Sequence, residues 1–398
     1  MERQILHVDV NNAFLSWTAI EMLNNGETID IRNIAAVIGG DEAQRKGVVL
    51  AKSMEAKQFG IVTGETLYLA RKKCPEVKIY MSNHTIYKKY SDQLYNLLLE
   101  YTDEIERFSI DECFLDLTHF LRGRKLIDIA NEISKRVKEE LKFTVNIGVA
   151  NNKLLAKMAS DFTKPDKVHT LYKDEIEKKM WCLPISELFM VGRRSIPKLE
   201  RMGIRSIGDL ANRDINILIK NFGKHGKMMW EYANGIDNSK VEYQYVQPKC
   251  VGNSVTFPYD IVKIDKLEEI LLALTEQVTY RLRKYDLLAN TVNVHIKNKD
   301  FKVSSHQRKL VTATSSTKII YEVAKELLEE LHKGEFIRLL GVQVSELINK
   351  DEMQLTFFDT EKNQKQEKID KTIDEIKRKY GYEKITRAGK ININKMFK

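Results

Sequence analysis

Cysteine is scarce in this chain of 398 residues, and long apolar runs are missing. The four cysteines, Cys74, Cys113, Cys182 and Cys250, lie far apart with no paired spacing. That pattern argues against a zinc ribbon and against a disulfide framework, and it fits reduced intracellular thiols. No segment approaches the roughly 18 uninterrupted apolar residues of a membrane-spanning helix. The opening, Met1-Glu-Arg-Gln-Ile-Leu-His-Val-Asp, passes directly into a strand-like run with no apolar signal stretch. There is no internal repeat, and no low-complexity tract beyond a mildly lysine-rich tail. A soluble, cytoplasmic, monomeric protein is the expectation.

Charge is plentiful. Charged residues make up 30% and hydrophobic ones 43%, an ordinary globular balance. The net charge is +9 and the pI near 9.0, which favours a polyanionic partner, although the sign alone does not separate DNA, RNA and a membrane surface. The length is too great for one compact core and suggests about two to four domains.

Apolar spacing predicts a buried strand over 4–10, a helix over 11–23 stopped by Asn24-Asn25-Gly26, and two strands within 34–50. Helices follow over 53–59, 66–73 and 83–101. Residues 105–109 and 113–117 form a hairpin pattern with acids at its tip. Beyond it come a helix (126–141), a strand (144–150) and a helix (153–160). Short glycine-punctuated helices fill 174–236, and a polar segment near 237–248 reads as a linker. The order after it is β (250–257), α (264–286), β (291–298), β (301–312), α (316–332), β (337–346), a small α+β domain. A further helix is expected over 367–380.

The strongest chemical signal is three carboxylates at two strand ends: Asp9, and the adjacent Asp111 and Glu112. Magnesium takes hard oxygen ligands and is usually completed by water and substrate phosphates. Two such ions about 4 Å apart activate an attacking oxygen and stabilise a leaving pyrophosphate. An isolated Asp-Glu pair more often decorates a hairpin turn, so the surrounding residues have to decide.

Ser109-Ile-Asp-Glu-Cys-Phe-Leu-Asp116 resembles the Y-family DNA polymerase signature Ser-Ile-Asp-Glu-Ala-Tyr-Leu-Asp, and Val8-Asp-Val-Asn-Asn-Ala-Phe14 resembles that family's opening motif. The resemblance extends over about residues 4–390. It implies an α+β multidomain right-hand polymerase: palm (1–20 and 80–172), fingers (21–79), helical helix-hairpin-helix thumb (173–237), linker (238–249), little finger (250–347) and a tail (348–398). It further implies low-fidelity synthesis across damaged template bases, with primer-template DNA and deoxynucleoside triphosphates as substrates and two Mg2+ ions as cofactors. Asp9, Asp111, Glu112 and the Val10 carbonyl would be metal ligands, and Asp116 structural. Phe14 falls on the aromatic steric gate that excludes a 2′-hydroxyl.

Other carry-overs are residue by residue. Ser53-Met-Glu-Ala-Lys-Gln-Phe-Gly60 resembles the family's Tyr-Glu-Ala-Arg-Lys-Phe-Gly element, whose Tyr and Arg touch the triphosphate. Met54 and Lys57 stand at those positions, so a hydroxyl donor and a bidentate fork are lost there. Gly60 and Gly64 match the small-residue roof over the templating base. Lys164 falls on the lysine that holds the β- and γ-phosphates, and Lys157 is expected on the DNA backbone. Gly192, in Phe189-Met-Val-Gly-Arg-Arg, resembles a helix-hairpin-helix turn that offers backbone N–H groups to phosphate. Gly223-Lys-His-Gly226 is a candidate second turn. Lys249 and Arg338, beside little-finger-like strands, are candidate phosphate contacts. Gln354-Leu355-Thr-Phe357-Phe358 resembles a bacterial sliding-clamp-binding peptide. The changes at 54 and 57 and the tail motif ending at Gly381 look closer to the Gram-positive UV-repair branch than to standard DNA polymerase IV.

Two competing readings are weaker. Gly39-Gly40-Asp41-Glu42 suggests a diguanylate cyclase hairpin, but Ala43 replaces the expected Phe and the acids at 9 and 111–112 would go unexplained. A catalytically inactive relative that binds clamp and DNA as an accessory is opposed by the retention of all three carboxylates and Phe14. His7 reads as a satisfied core or edge histidine rather than a ligand.

Overall fold

The computed structural model describes residues 2–45, 47–244, 247–350 and 361–381. They fall into two compact units, one drawn from residues 1–40 and 48–246, the other from 41–47 and 247–398.

In the first unit β1 (Ile5–Val10) leads into α1 (Ala13–Asn24), β2 (Ala36–Gly39), β3 (Val49–Lys52), α2 (Met54–Gln58), α3 (Leu67–Lys73), β4 (Lys78–Met81) and α4 (His84–Leu98). Then come β5 (Ile105–Arg107), β6 (Glu112–Asp116), α5 (Leu126–Arg136), β7 (Val145–Ala150), α6 (Lys153–Ser160) and β8 (Val168–Thr170). The main sheet has the order β5-β6-β1-β7-β8, with β1 antiparallel to both neighbours. Every residue of β1 is buried, the burial expected of a strand covered on both faces. A smaller sheet, β3-β2-β4, pairs β2 antiparallel to β3 and parallel to β4. Neither β4 nor β8 has a signal in the sequence. β4 has no buried residue and β8 has only three residues, so neither shows a clear apolar alternation.

Gly148 sets how closely helix and sheet approach. A Cβ there would lie 1.8 Å from the Ala156 carbonyl oxygen, so only glycine lets α6 lie this close to β7. All of α6 after Lys153 is buried, and its close seating brings its C-terminal end over the end of β1. The helix expected over 126–141 ends as a π-helical turn, Val137–Leu141, before Lys142 adopts a left-handed φ of 65°.

Short helices complete the unit: α7 (Ile176–Lys179), α8 (Ile196–Arg201), α9 (Ile207–Ala211), α10 (Ile215–Phe222) and α11 (Lys224–Ala233). Gly223 ends α10 and starts α11 at φ 62°, and a Cβ on Gly226 would come within 2.2 Å of the Leu218 carbonyl. The two helices therefore meet backbone to backbone.

The second unit is an antiparallel sheet in the order β11-β10-β12-β9. Its elements are β9 (Cys250–Ile261), α12 (Ile264–Lys284), β10 (Leu287–Asn298), β11 (Val303–Thr314), α13 (Thr317–Leu331) and β12 (Ile337–Asn349). Phe257, Leu274, Val292, Leu327 and Val342 form its core between helices and sheet. The tail helix α14 (Glu361–Tyr380) starts earlier than expected and docks on this unit. There the Asp374 carboxylate accepts from Arg283 Nη2 at 3.0 Å, Asp370 accepts from the Thr317 N–H at 3.0 Å, and Lys377 lies 3.3 Å from Glu276. All four cysteines are free. Among the described residues no helix is long and apolar enough to cross a membrane.

Candidate active site

Strand pairing places the acids. Asp9 on β1 is directly opposite Glu112, the first residue of β6, so both side chains leave the same face of the sheet. Asp111 lies in the loop before β6, where its carbonyl accepts from the Val10 N–H at 3.0 Å and its carboxylate from the Ser109 hydroxyl at 2.6 Å. His7, two residues before Asp9, shares the face of Asp9 and Glu112. It is fully buried between Ser160 Oγ (2.7 Å from Nδ1) and Glu112 Oε2 (3.2 Å from Nε2). Burial keeps this imidazole below its ordinary pKa, against the Glu112 hydrogen bond, which acts to raise it. Burial also acts to raise the Glu112 carboxyl, but the His7 hydrogen bond and the Lys157 ammonium outweigh it and hold it at about 2. Asp111 moves the other way: burial, helped by the charges of Glu112 and Asp9, raises it against the Ser109 hydrogen bond.

Lys157 departs from expectation. It does not face outward for a DNA backbone; it is 7% exposed, its Nζ 3.3 Å from Asp9, 3.4 Å from Glu112 and 3.2 Å from Asp161. The register of α6 forces this, because the glycine-permitted contact with β7 turns that face of the helix into the carboxylates. Lys164, on the loop after α6, lies 3.0 Å from both Asp9 and Asp161. Burial disfavours both ammonium groups, yet the surrounding carboxylates raise both above an ordinary lysine. Asp161 thus holds one lysine on each carboxylate oxygen, four residues after Lys157 and three before Lys164.

These groups line a cleft of about 480 Å³. Val10, Asn12, Phe14, Lys52, Ser53, Met54, Lys57 and Thr63 line it as well. Phe14 is stacked on buried Tyr87 (ring centroids 4.3 Å, planes 14° apart), with Trp17 and His84 at its edges. Met54 is 56% exposed and starts α2, whose cap is Ser53 accepting from the Ala56 N–H. Lys57 is exposed on the same helix. Gly64 turns at φ 90° and donates to the Val49 carbonyl at 2.8 Å. Gly192 is exposed ahead of α8, with open space where a Cβ would lie.

In the second unit, Lys249 is exposed before β9, and the Arg338 guanidinium lies 4.8 Å over the Phe301 ring. The peptide 354–358 falls outside the described residues. Asp116 closes β6 by accepting from the Thr118 N–H at 2.9 Å, in keeping with a structural role.

Among the described residues no three His, Cys, Asp or Glu side chains are gathered as a preformed metal cage. The donor set nevertheless suits a hard cation: two opposed carboxylates, a third beside them and a backbone carbonyl, with lysine ammonium groups already on two of the acids.

The sequence model of the impB/mucB/samB family matches residues 8–161, and that of its C-terminal domain residues 248–357. The model described as the DNA polymerase-iota thumb domain matches 187–237. The chain is 49% identical over 388 residues to DNA polymerase IV of Clostridium acetobutylicum, with 98% of each chain covered. This chain belongs to the Y family of DNA polymerases. DNA polymerase IV of Alkaliphilus oremlandii is 38% identical over 98% of this chain and 100% of its own length. That of Acetivibrio thermocellus is 36% identical over 98% and 97%. These relatives carry the polymerase IV name rather than that of the UV-repair branch. Among solved structures, a Y-family DNA polymerase chimera of Dbh and Dpo4 superposes with a TM-score of 0.77 at 25% identity, covering 87% of this chain and 99% of its own.

Proposed function

We propose that the cleft carries out two-metal nucleotidyl transfer, with two Mg2+ ions held by Asp9, Asp111, Glu112 and the Val10 carbonyl. The chain is a metal-dependent, DNA-directed DNA polymerase that synthesises DNA across damaged template bases, acting on primer-template DNA and deoxynucleoside triphosphates. The observation carrying the metal assignment is the Asp9–Glu112 pair, opposed across two strands and attended by two cations. When bound, metal ions supply activation of the attacking hydroxyl and neutralisation of charge on the leaving pyrophosphate. His7 keeps Glu112 oriented and ionised throughout. Lys164, anchored by Asp161, exchanges Asp9 for the β- and γ-phosphates, while Lys157 remains against Asp161 and balances the buried negative charge. Phe14 lies under the sugar, and Met54 and Lys57 border the triphosphate.

In this reading residues 1–20 and 80–172 are the palm, 21–79 the fingers, 173–237 the thumb, 238–249 a linker and 250–347 the little finger. Gly64, Gly192, Lys249 and Arg338 meet template or phosphate backbone, and the enzyme works as a cytoplasmic monomer. Extension of a primer on undamaged and abasic templates is expected with Mg2+ and should stop on chelation. A protein that binds primer-template yet never extends it would instead support the inactive accessory reading.

We also propose that Gln354, Leu355, Phe357 and Phe358 dock on the bacterial sliding clamp. Supporting this, the peptide follows β12 and precedes α14 in the sequence, away from the residues of the cleft. Tethering raises effective concentration, to about millimolar for a short linker, so it governs processivity rather than chemistry. Changing Gln354, Phe357 and Phe358 together to Ala should leave single-nucleotide addition unaltered and remove stimulation by a loaded clamp. Clamp-dependent product lengths that survive the triple change would defeat the partner assignment.

A further inference from the structure

The lysines of the cleft divide into two pairs. Lys157 and Lys164 are matched by Asp9, Glu112 and Asp161. Lys52 and Lys57, on the other wall, have no carboxylate within ion-pair distance among the described residues. Lys52 is the last residue of β3 and half-buried. Its one side-chain partner is neutral, the Thr63 hydroxyl at 3.3 Å, and its carbonyl accepts from the Asn12 side chain at 2.6 Å. That second bond ties the end of β3 to the turn between Asp9 and Phe14. The lysine stem therefore leaves the backbone beside the metal-ligand strand and beside the proposed sugar gate.

The Lys52 ammonium is partly withdrawn from water, and the carboxylate whose charge reaches it, Glu65, is itself paired with Lys73 at 2.5 Å. Burial first, and then the like charge of Lys57, push Lys52 below an ordinary lysine, and the Glu65 carboxylate offsets only part of this. An anionic ligand entering the cleft recovers the cost of that withdrawal. The two positions where the family carries Tyr and Arg are filled here by Met54, which has no donor, and Lys57, which has no fork. One position before the cap of α2, Lys52 brings a charge and three donors to the same wall.

We propose that Lys52 is a phosphate-binding and nucleotide-positioning residue, supplying together with Lys57 the triphosphate grip that Met54 cannot give. This rests on reading the cleft as the nucleotide site. Thr63 parks the ammonium at the wall in the free enzyme, and the triphosphate then takes it over.

The test is steady-state incorporation of one nucleotide by the full-length enzyme carrying Lys52→Met, Lys52→Arg or the double change Lys52→Met with Met54→Tyr. Loss of one charge-assisted contact should raise KM for the deoxynucleoside triphosphate about tenfold, with kcat within about twofold. Lys52→Arg should restore KM, and Met54→Tyr should recover part of it in the Lys52→Met background. A purely structural role would lower kcat and thermal stability together without moving KM selectively, and that result overturns the proposal. Lys164→Met separates the two levels of the argument. If Lys164→Met raises KM and Lys52→Met does not, Lys52 is excluded while the cleft stands. If neither substitution moves KM, the nucleotide assignment of the cleft itself fails.

Discussion

Primer extension by the Glu112→Gln enzyme should fall at least about a thousandfold, equivalent to about 4 kcal/mol of transition-state stabilisation, while primer-template affinity stays within about twofold. Glutamine preserves the volume of Glu112 and a hydrogen-bonding oxygen for His7, so packing changes little. What disappears is the charge. The carboxyl, held at about 2, is ionised at any working pH, and this fixed negative group is what a magnesium ion would coordinate. Its removal also leaves Lys157 with one fewer counter-charge, though Asp9 and Asp161 remain at 3.3 and 3.2 Å. Duplex binding draws on many Lys and Arg contacts with phosphate rather than on one acid. Single-turnover extension and a binding titration on the same preparation give the two quantities. Asp111→Ala should behave alike, and near-normal extension by either variant would remove these residues from the chemistry.

Much of this site was legible because its geometry is written in short-range patterns. A short, mostly apolar strand carrying Asp9 near its end, and an acidic hairpin tip at Asp111-Glu112, are visible without a structure, and pairing of β1 with β6 brings them together. What covers a face is not visible in the same way. His7 read as a core histidine and is one, fully buried and hydrogen-bonded; that its partner is Glu112 depends on which strand lies alongside. Lys157 read as a DNA contact because it falls on the segment that resembles the family's palm helix, one turn after Lys153. The close seating of α6 at Gly148 is a tertiary fact, yet the i, i+4 spacing from Lys157 to Asp161 was an available hint of pairing. Asp161 and Lys52 were missed for a related reason: each lies beside a motif rather than at one of its named positions. The extended beginning of α14 was missed because residues 361–366 carry almost no apolar periodicity.

Replacing Phe14 with Ala should raise ribonucleotide incorporation relative to deoxynucleotide incorporation by about a hundredfold, since discrimination by shape vanishes with the wall that supplies it. The ring is well placed for that task. One face is stacked on Tyr87 at 4.3 Å, Trp17 and His84 hold its edges, and the ring lines the cleft. A ring fixed from behind cannot swing aside to admit a 2′-hydroxyl, and a backing of buried aromatics resists displacement better than a loop would. Because Phe14 is only half-buried, truncation should cost about 2 kcal/mol of stability, less than for a fully buried phenylalanine. Deoxynucleotide addition should therefore persist at a measurable rate. Phe14→Tyr provides the control, since it keeps the wall and should leave the sugar ratio near that of the parent enzyme. The decisive measurement is the ratio of kcat/KM for a ribonucleotide and its deoxy counterpart on one template. If that ratio is the same in Phe14→Ala as in the parent, the ring serves only to pack α1 against α4, and sugar selection must reside elsewhere in the cleft.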